Sequence, residues 1–473
     1  MRYRFLVLFI LVSGALPAQD PPMHHHNMPG MKQADNPAQK TEMQSPVPDL
    51  LEEVAGRPAM SLAQFEQFAL AANPTLLQAN ALVRQSVGQA RQAGLLPNPT
   101  VGYQGEQIRG GSYGGGENGA FVQQNFVLGG KLGLRREVYE QRRREREIGV
   151  TEQRNRVLSD VGRRFSAALA EQEMVKLRGQ LLDLAMNAVE TAHQLANVGQ
   201  ADAPDVLQAE VEGEQAQVEF TGAQRRYIQE FHGLAALTGK SELPLAPLAG
   251  DLENPPQIDA EGIVDQIARN SPSVKRARQA LSRSEAEVKS ARRESVPDLQ
   301  IRGGIQQNSE QLNDFARPVG LQAFATVGVT IPLFNRNQGN VAAANADLER
   351  AGAEVTRMQL SLRQSAQPLL QTYLSDRLEA SRYKTEMIPR AARAYQLYLA
   401  KYREMGAAYP QVIVSQRTLF QLRVAYINVL RDLWSNAIAL QNYTLTGGLN
   451  APAASDDAGT NLNLPTSGSG GPQ

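Results

Sequence analysis

The chain has 473 residues, 48 basic and 48 acidic side chains, 42% hydrophobic residues and no cysteine. Zero formal charge leaves no electrostatic footprint for nucleic acid. The missing thiols exclude disulfides, cysteine metal sites and a cysteine-borne lipid anchor.

The chain opens with "MRYRFLVLFILVSGALPAQD". Arg2 and Arg4, an apolar run from Phe5 to Val12, and small residues up to Ala18 are the three parts of a secretory signal peptide, assigned to residues 1–18. Cleavage after Ala15 fits as well as after Ala18. The run is too short to span a bilayer, and no later window is long and apolar enough to do so as a helix.

Residues 19–60 are rich in Pro, Gln, Asn and Met and read as disordered. Within them, "PPMHHHNMPGMKQ" gathers Met23, His24, His25, His26, Met28 and Met31. Thioethers suit soft Cu(I) or Ag(I), and imidazoles suit copper or Zn(II). A disordered segment would bind such ions transiently, as a site of capture or sensing and not of structure. The plainer alternative is a polar leader without a ligand.

An internal duplication follows. A shift of 198 positions aligns Pro74 with Pro272 and Pro99 with Pro297, and a shift of 206 aligns Leu128 with Phe334 and Pro204 with Pro410. The chain therefore holds two copies of one unit, residues 61–250 and 251–449, with eight extra residues in the second between Pro297 and Phe334. A tail from 450 to 473 reads as disordered.

Each copy has the same predicted elements. A proline at the first-turn position opens a helix, to about Leu96 in one copy and Glu294 in the other. Two alternating segments around a glycine-containing loop come next, read as strands of a hairpin. In the second copy Leu299, Ile301 and Ile305, then Ala323, Ala325, Val327, Val329 and Ile331, form one apolar face. Val101, Tyr103, Ala120, Val122, Phe126 and Leu128 do so less cleanly in the first. A tilted strand needs about 9–11 residues to cross a membrane, and both second-copy segments are long enough.

From Lys131 to Val198 no proline interrupts the chain. Met174, Leu177, Leu181, Leu184, Ala188, Leu195 and Val198 suggest a coiled-coil seam. "NVGQADAPDV" breaks this helix, and a second runs from Pro204 to about Leu237. The other copy repeats the pattern from Asn340 to Glu404, breaks at "EMGAAYPQV", and resumes from Pro410 to about Tyr443. Four strands cannot close a barrel, and an open sheet edge does not survive in lipid. The expected fold is thus a mixed α+β membrane protein in which each chain lends four transmembrane strands to an oligomeric barrel, with long helical hairpins beyond it; three chains would supply twelve strands.

This order of elements resembles the TolC-type outer-membrane factors of Gram-negative bacteria. Its carriers are the helix starts "NPTL" and "SPSV", the segments "LLPNPTVGY" and "SVPDLQIRG", the junctions "FVLGGKLG" and "IPLFNRNQG", and the tips "VGQADAPDVLQAE" and "MGAAYPQVIVSQ". The glycine-rich junction "LGGKLGLRR" resembles the heavy-metal branch in particular. The resemblance implies a homotrimer with a twelve-stranded barrel in the outer membrane and a coiled-coil tunnel through the periplasm. It also implies a periplasmic adaptor and an inner-membrane proton-driven cation pump as partners. The protein would be a passive channel, not an enzyme, needing no resident cofactor, in contact with outer-membrane lipid and with no nucleic acid.

The resemblance further implies that the helical tips dock the adaptor, here around Gly199, Pro204, Gly406 and Pro410. It also implies an acidic constriction, to which Asp202 and Asp205 correspond; Gln411 and Val414 stand where relatives can carry aspartates. Asp205 equally fits a first-turn carboxylate facing the helix dipole. Alternative readings are a duct for drug efflux or type I protein secretion, or a soluble periplasmic coiled-coil scaffold.

Other motifs carry no chemistry. "GLAALTGKS" has the wrong spacing for a phosphate loop, and Gly239 reads as a helix C-terminus. "GGSYGGGENG" reads as a hairpin loop. His193 and His232 lack partners at metal spacing. The run "RREVYEQRRRERE" reads as a solvated helix face.

Overall fold

The computed structural model describes residues 54, 56–108, 116–199, 201–311, 318–404 and 409–452. The signal peptide, the Met23–Met31 ligand set, Gly406 and nearly all of segments 19–60 and 450–473 lie outside the described residues. The chain divides into two units, residues 1–46 and 47–473, of which only the second is described.

The first half runs β1 (Met60–Ser61), α1 (Leu62–Ala72), α2 (Pro74–Ala93), β2 (Thr100–Glu106), β3 (Glu117–Phe126), α3 (Lys131–Asn197), α4 (Ala203–Leu237) and β4 (Leu248–Ala249). The second runs α5 (Ile263–Asn270), α6 (Pro272–Arg293), β5 (Leu299–Gln311), β6 (Pro318–Val329), α7 (Gln338–Arg382), a π-helical turn (Tyr383–Met387), α8 (Ile388–Arg403) and α9 (Tyr409–Gln441). The repeated order anticipated from the two sequence shifts is present. The short helices α1 and α5 and the parallel pairing of β1 with β4 are additions, too brief for periodicity to reveal.

The same device starts α2 and α6. Asn73 Oδ1 accepts from the Thr75 N–H at 2.9 Å, and Ser271 Oγ accepts from the Ser273 N–H at 3.3 Å. Pro74 and Pro272 occupy the first helical position, where their missing N–H costs nothing.

Two hairpins merge into one antiparallel sheet of order β2-β3-β5-β6. The inner pair β3 and β5 join in a register that sets Ala120 against Ile305 and Phe126 against Leu299. β2 and β6 are left as edges.

The long helices pack below this sheet. α3 extends over 67 residues, ~100 Å at ~1.5 Å per residue. Its buried seam is a heptad series, Val161, Ala168, Val175, Leu182 and Val189. That differs from the seam expected from the sequence. Met174 and Leu177 are buried, but Leu184 is 37% and Val198 67% exposed. Both stripes follow helical spacing, and packing against α4 and the other neighbouring helices decides which one this chain covers. Gly179 and Gly213 let that contact close: a Cβ at Gly179 would lie 3.4 Å from Phe220, and one at Gly213 3.1 Å from Val189.

The second copy does not repeat the uninterrupted helix. Pro389 cannot donate to the carbonyl one turn back, and its ring crowds that carbonyl. The backbone widens just before it: the Ile388 N–H donates to the Tyr383 carbonyl, five residues back.

The core lies midway along the helices. Phe65 of α1 meets Phe165 of α3 and Phe231 of α4, both with ring centroids 6.0 Å away. Buried Tyr227 donates its hydroxyl to the Ala246 carbonyl at 2.8 Å. Leu430, Leu433 and Leu440 of α9 and Tyr373 of α7 complete it from the second copy.

Candidate functional site

Three regions present chemistry: the two faces of the sheet, the junction between sheet and helices, and the helical tips.

Strand pairing puts the sequence's apolar alternation on a single face. Val101 pairs with Val122, Tyr103 with Ala120, Ala120 with Ile305, Ile305 with Ala323, Ile301 with Val327 and Leu299 with Val329. These side chains face out of the protein: Val101 is 71% exposed, Val327 65% and Leu321 73%. A soluble sheet does not leave such a surface wet.

The opposite face is polar. Glu117 accepts from Gln306 Nε2 and Asn308 Nδ2, each at 2.7 Å. The Arg302 guanidinium lies 3.9 Å from the Phe121 ring centroid and 5.8 Å from that of Phe324. It donates to Gln104, which in turn donates to Glu106. Glycines admit the rings: a Cβ on Gly102 would come within 2.6 Å of Phe121, and one on Gly304 within 2.7 Å of Phe324. A strand set that is apolar on one face and polar on the other is the pattern of a transmembrane barrel wall.

At the junction α3 is clamped to α6 and the start of β5. Lys131 Nζ reaches the Asp298 carboxylate at 2.6 Å and donates to the Val296 carbonyl at 2.8 Å. Arg135 and Glu294 form a two-pronged pair, both prongs at 2.9 Å. Arg283 donates to Glu145 at 3.0 Å. Deeper still, Glu152 is 2% exposed and engages Arg156, Arg276 and the Ser273 hydroxyl. The run from Arg135 to Glu147 is therefore not simply a solvated face. Arg135 and Glu145 turn inward because α6 supplies opposite charges in an antiparallel order that only the fold creates.

At the first tip Gly199 adopts φ +74°, which a Cβ would strain, and Pro204 lies in the first turn of α4. Asp202 is the N-cap of α4, and its N–H faces Asp205 Oδ2 at 3.5 Å. Both carboxylates and Pro204 are exposed. The structure brings Gly199, Asp202, Pro204 and Asp205 together in one turn. Of the second tip, Pro410 is described and exposed, and Gly406 is not described. His193 has a partner across the hairpin, Glu210, at 3.2 Å. Arg417 of α9 reaches Glu212 of α4 at 2.6 Å, tying the two hairpins together. Between α8 and α9, Ala391, Ala394, Tyr398, Pro410 and Val414 line a mostly apolar groove of about 410 Å³, which the sequence reading did not identify.

Among the described residues no group of three or more His, Asp or Glu side chains could hold a metal ion, and no helix is long and apolar enough to cross a membrane.

The family described as outer membrane efflux protein matches residues 67–240 and 263–447, one segment per copy. The chain is 28% identical over 411 residues to the cobalt-zinc-cadmium resistance protein CzcC of Cupriavidus metallidurans, covering 85% of this chain and 94% of the relative. It is 26% identical over 297 residues to the nickel-cobalt-cadmium resistance protein NccC of Alcaligenes xylosoxydans xylosoxydans, covering 62% and 66%. The solved structure of CusC, from a study of its folding and transmembrane channel formation, superposes with a TM-score of 0.66 at 18% identity, over 82% of this chain and 92% of that one. The chain belongs to the outer membrane efflux protein family.

Proposed function

We propose that the protein is the outer-membrane exit duct of a tripartite machine that expels heavy-metal cations. The observation that carries the efflux reading is the two-faced sheet with open edges at β2 and β6, set on long helical hairpins. Those edges need partners in lipid. Three copies joined β6 to β2 would give a closed barrel of about twelve strands, apolar outside and polar within. Apolar residues left open on α4 support the same trimer: Leu207 is 60%, Val211 62% and Val218 69% exposed.

The metal cargo rests on the match, over 85% of this chain, to a cobalt-zinc-cadmium resistance protein. Copper and silver stand beside those ions because Met23, Met28 and Met31 offer soft ligands next to His24, His25 and His26, giving transient binding ahead of the channel. In this reading residues 1–18 are removed on export, 61–250 and 251–449 are the two efflux repeats, and 19–60 and 450–473 flank them. A periplasmic adaptor docks at the tips around Gly199, Pro204, Gly406 and Pro410, where the apolar groove beside Pro410 offers a surface. A proton-driven inner-membrane pump supplies the cargo, and Asp202 and Asp205, repeated three-fold, line the narrow end. Outer-membrane lipid covers the Val101–Val122 face.

Deletion of the gene should sensitise cells to one or more of cobalt, zinc, cadmium, nickel, copper and silver. Sensitivity to organic solvents or antibiotics alone would overturn the cargo while leaving the duct. Recovery of the protein as a soluble periplasmic species would overturn the duct. Replacing the six Met and His ligands by alanine in the full chain should abolish micromolar Cu(I), Ag(I) or Zn(II) binding by calorimetry; unchanged binding would refute that segment as the site.

A further inference from the structure

We propose that Arg302 sets the charge selectivity of the barrel lumen. The proposal rests on the trimeric-pore reading above, and takes that reading to a residue.

Register places Arg302 opposite Gln123 on one side and Thr326 on the other, on the polar face and close to the end of the sheet where the helices enter. In a barrel whose apolar face meets lipid, this face lines the lumen. The side chain is not free to swing. Phe121 and Phe324 flank its guanidinium, their rings laid against Gly102 and Gly304, and Gln104 accepts one of its N–H groups. Its Nε is buried with no hydrogen-bond partner.

No ion pair to Arg302 occurs among the described residues. Two carboxylates of the same face pair with amides instead: Glu117 with Gln306 and Asn308, Glu106 with Gln104. The face thus holds a positive charge near the tunnel end and negative charges near the loop end, with amides between. Threefold repetition makes the first a ring of three arginines. A fixed cation in a confined passage raises the local anion concentration and disfavours cations, and doubly so divalent ones. An exported metal ion is thereby kept off the wall as it enters the barrel.

The reach of this ring depends on salt. Its field extends about 30 Å at 0.01 M and about 3 Å at 1 M, so it fills the lumen in dilute solution and hugs the wall in concentrated solution.

The test is the reversal potential of the full-length protein in planar bilayers under KCl gradients. Arg302→Gln should raise the potassium-to-chloride permeability ratio by about two-fold or more near 0.01 M, with the difference vanishing near 1 M. Arg302→Lys, which keeps the charge but not the planar stacking, should retain the wild-type ratio. Gln104→Glu leaves the arginine and both rings in place, gives up the bond to Glu106 and sets a negative charge against the guanidinium; it should shift the ratio in the same direction as Arg302→Gln. A conducting Arg302→Gln channel with an unchanged ratio at low salt would overturn the proposal. If that variant fails to insert, an unchanged ratio in Gln104→Glu would overturn it equally. Absence of conductance from the wild-type protein would strike the pore reading and not Arg302.

Discussion

The long helices of the two copies occupy equivalent places yet differ in burial and continuity. α3 is a continuous element held on several sides by α1, α2, α4, α6 and α9, and its buried residues run from Lys131 to Val189. Its counterpart, α7 through α8, is split at Pro389, and α7 buries only Ala351, Leu362, Ala366, Leu370, Tyr373 and Ala380. Leu360 and Leu378 of α7 remain 57% and 59% exposed. Duplication supplied two equal frames, and packing made one the spine of the chain while the other kept an open flank.

The sharpest way to break this contrast is to truncate matched positions. Phe165 is 3% exposed in the aromatic core, and the residue 206 positions later, Gln371, is on the surface. Phe165→Ala should cost about 3–5 kcal/mol, whereas Gln371→Ala should stay within about 0.5 kcal/mol. Denaturant melts of both variants check this, and comparable losses would mean the two helices are equally built into the fold.

Exchanging the proline tests continuity. Asp183 is the counterpart of Pro389 by the same shift. Asp183→Pro should destabilise α3 by about 3 kcal/mol. Pro389→Asp should let the π turn relax to regular α-helix, visible as slower amide exchange over 383–389. An unchanged π turn in Pro389→Asp would show that packing, and not the proline, creates it.

At the tips, Ala408 stands 206 positions after Asp202. Asp202→Ala therefore imports the second copy's residue, and loss of the N-cap should cost about 1 kcal/mol. A thermal melt gives the loss, and no change would leave the carboxylate without a structural role.

The smallest effect concerns Asp376 of α7, which is partly buried and accepts from Asn436 at 2.9 Å. Burial first, then the nearby Asp432 and Glu379 charges, push its pKa above the ordinary carboxylate value, against the opposing Asn436 hydrogen bond. A raised carboxylate pKa means the folded state binds its proton more tightly than the unfolded chain, so this group's contribution falls as pH rises through that range. Asp376→Asn should stabilise the protein by under about 1 kcal/mol at pH 7. The gain should disappear once the pH drops below the unfolded carboxylate value. A stability curve parallel to wild type at every pH would remove the assignment.

Much of the fold was legible because it depends on local chemistry. Pro74 and Pro272 mark helix starts by their missing N–H, and the alternation from Leu299 to Val329 marks strands by the pleat, although Ile331, expected in the same face, lies beyond the strand. Gly199 and Gly239 adopt the left-handed conformation expected where a helix ends, with φ of +74° and +72°. Less was legible at the candidate site. The turn from Gly199 to Asp205 could be read in sequence because its residues are neighbours. The stacking of Arg302 between Phe121 and Phe324 could not, since it brings Phe121 against a residue 181 positions later.

Sequence by itself determined the duplication, the helix and strand types and the apolar face of the sheet, because each depends on spacing within a short window. Tertiary structure alone decided which of two apolar stripes on α3 is buried, since both have helical spacing and only packing against the neighbouring helices selects one. It also turned Arg135 and Glu145 inward against α6, and joined β3 to β5 so that two separate hairpins share one polar wall. Those outcomes depend on charges and surfaces far apart in the chain, whose meeting no local pattern encodes.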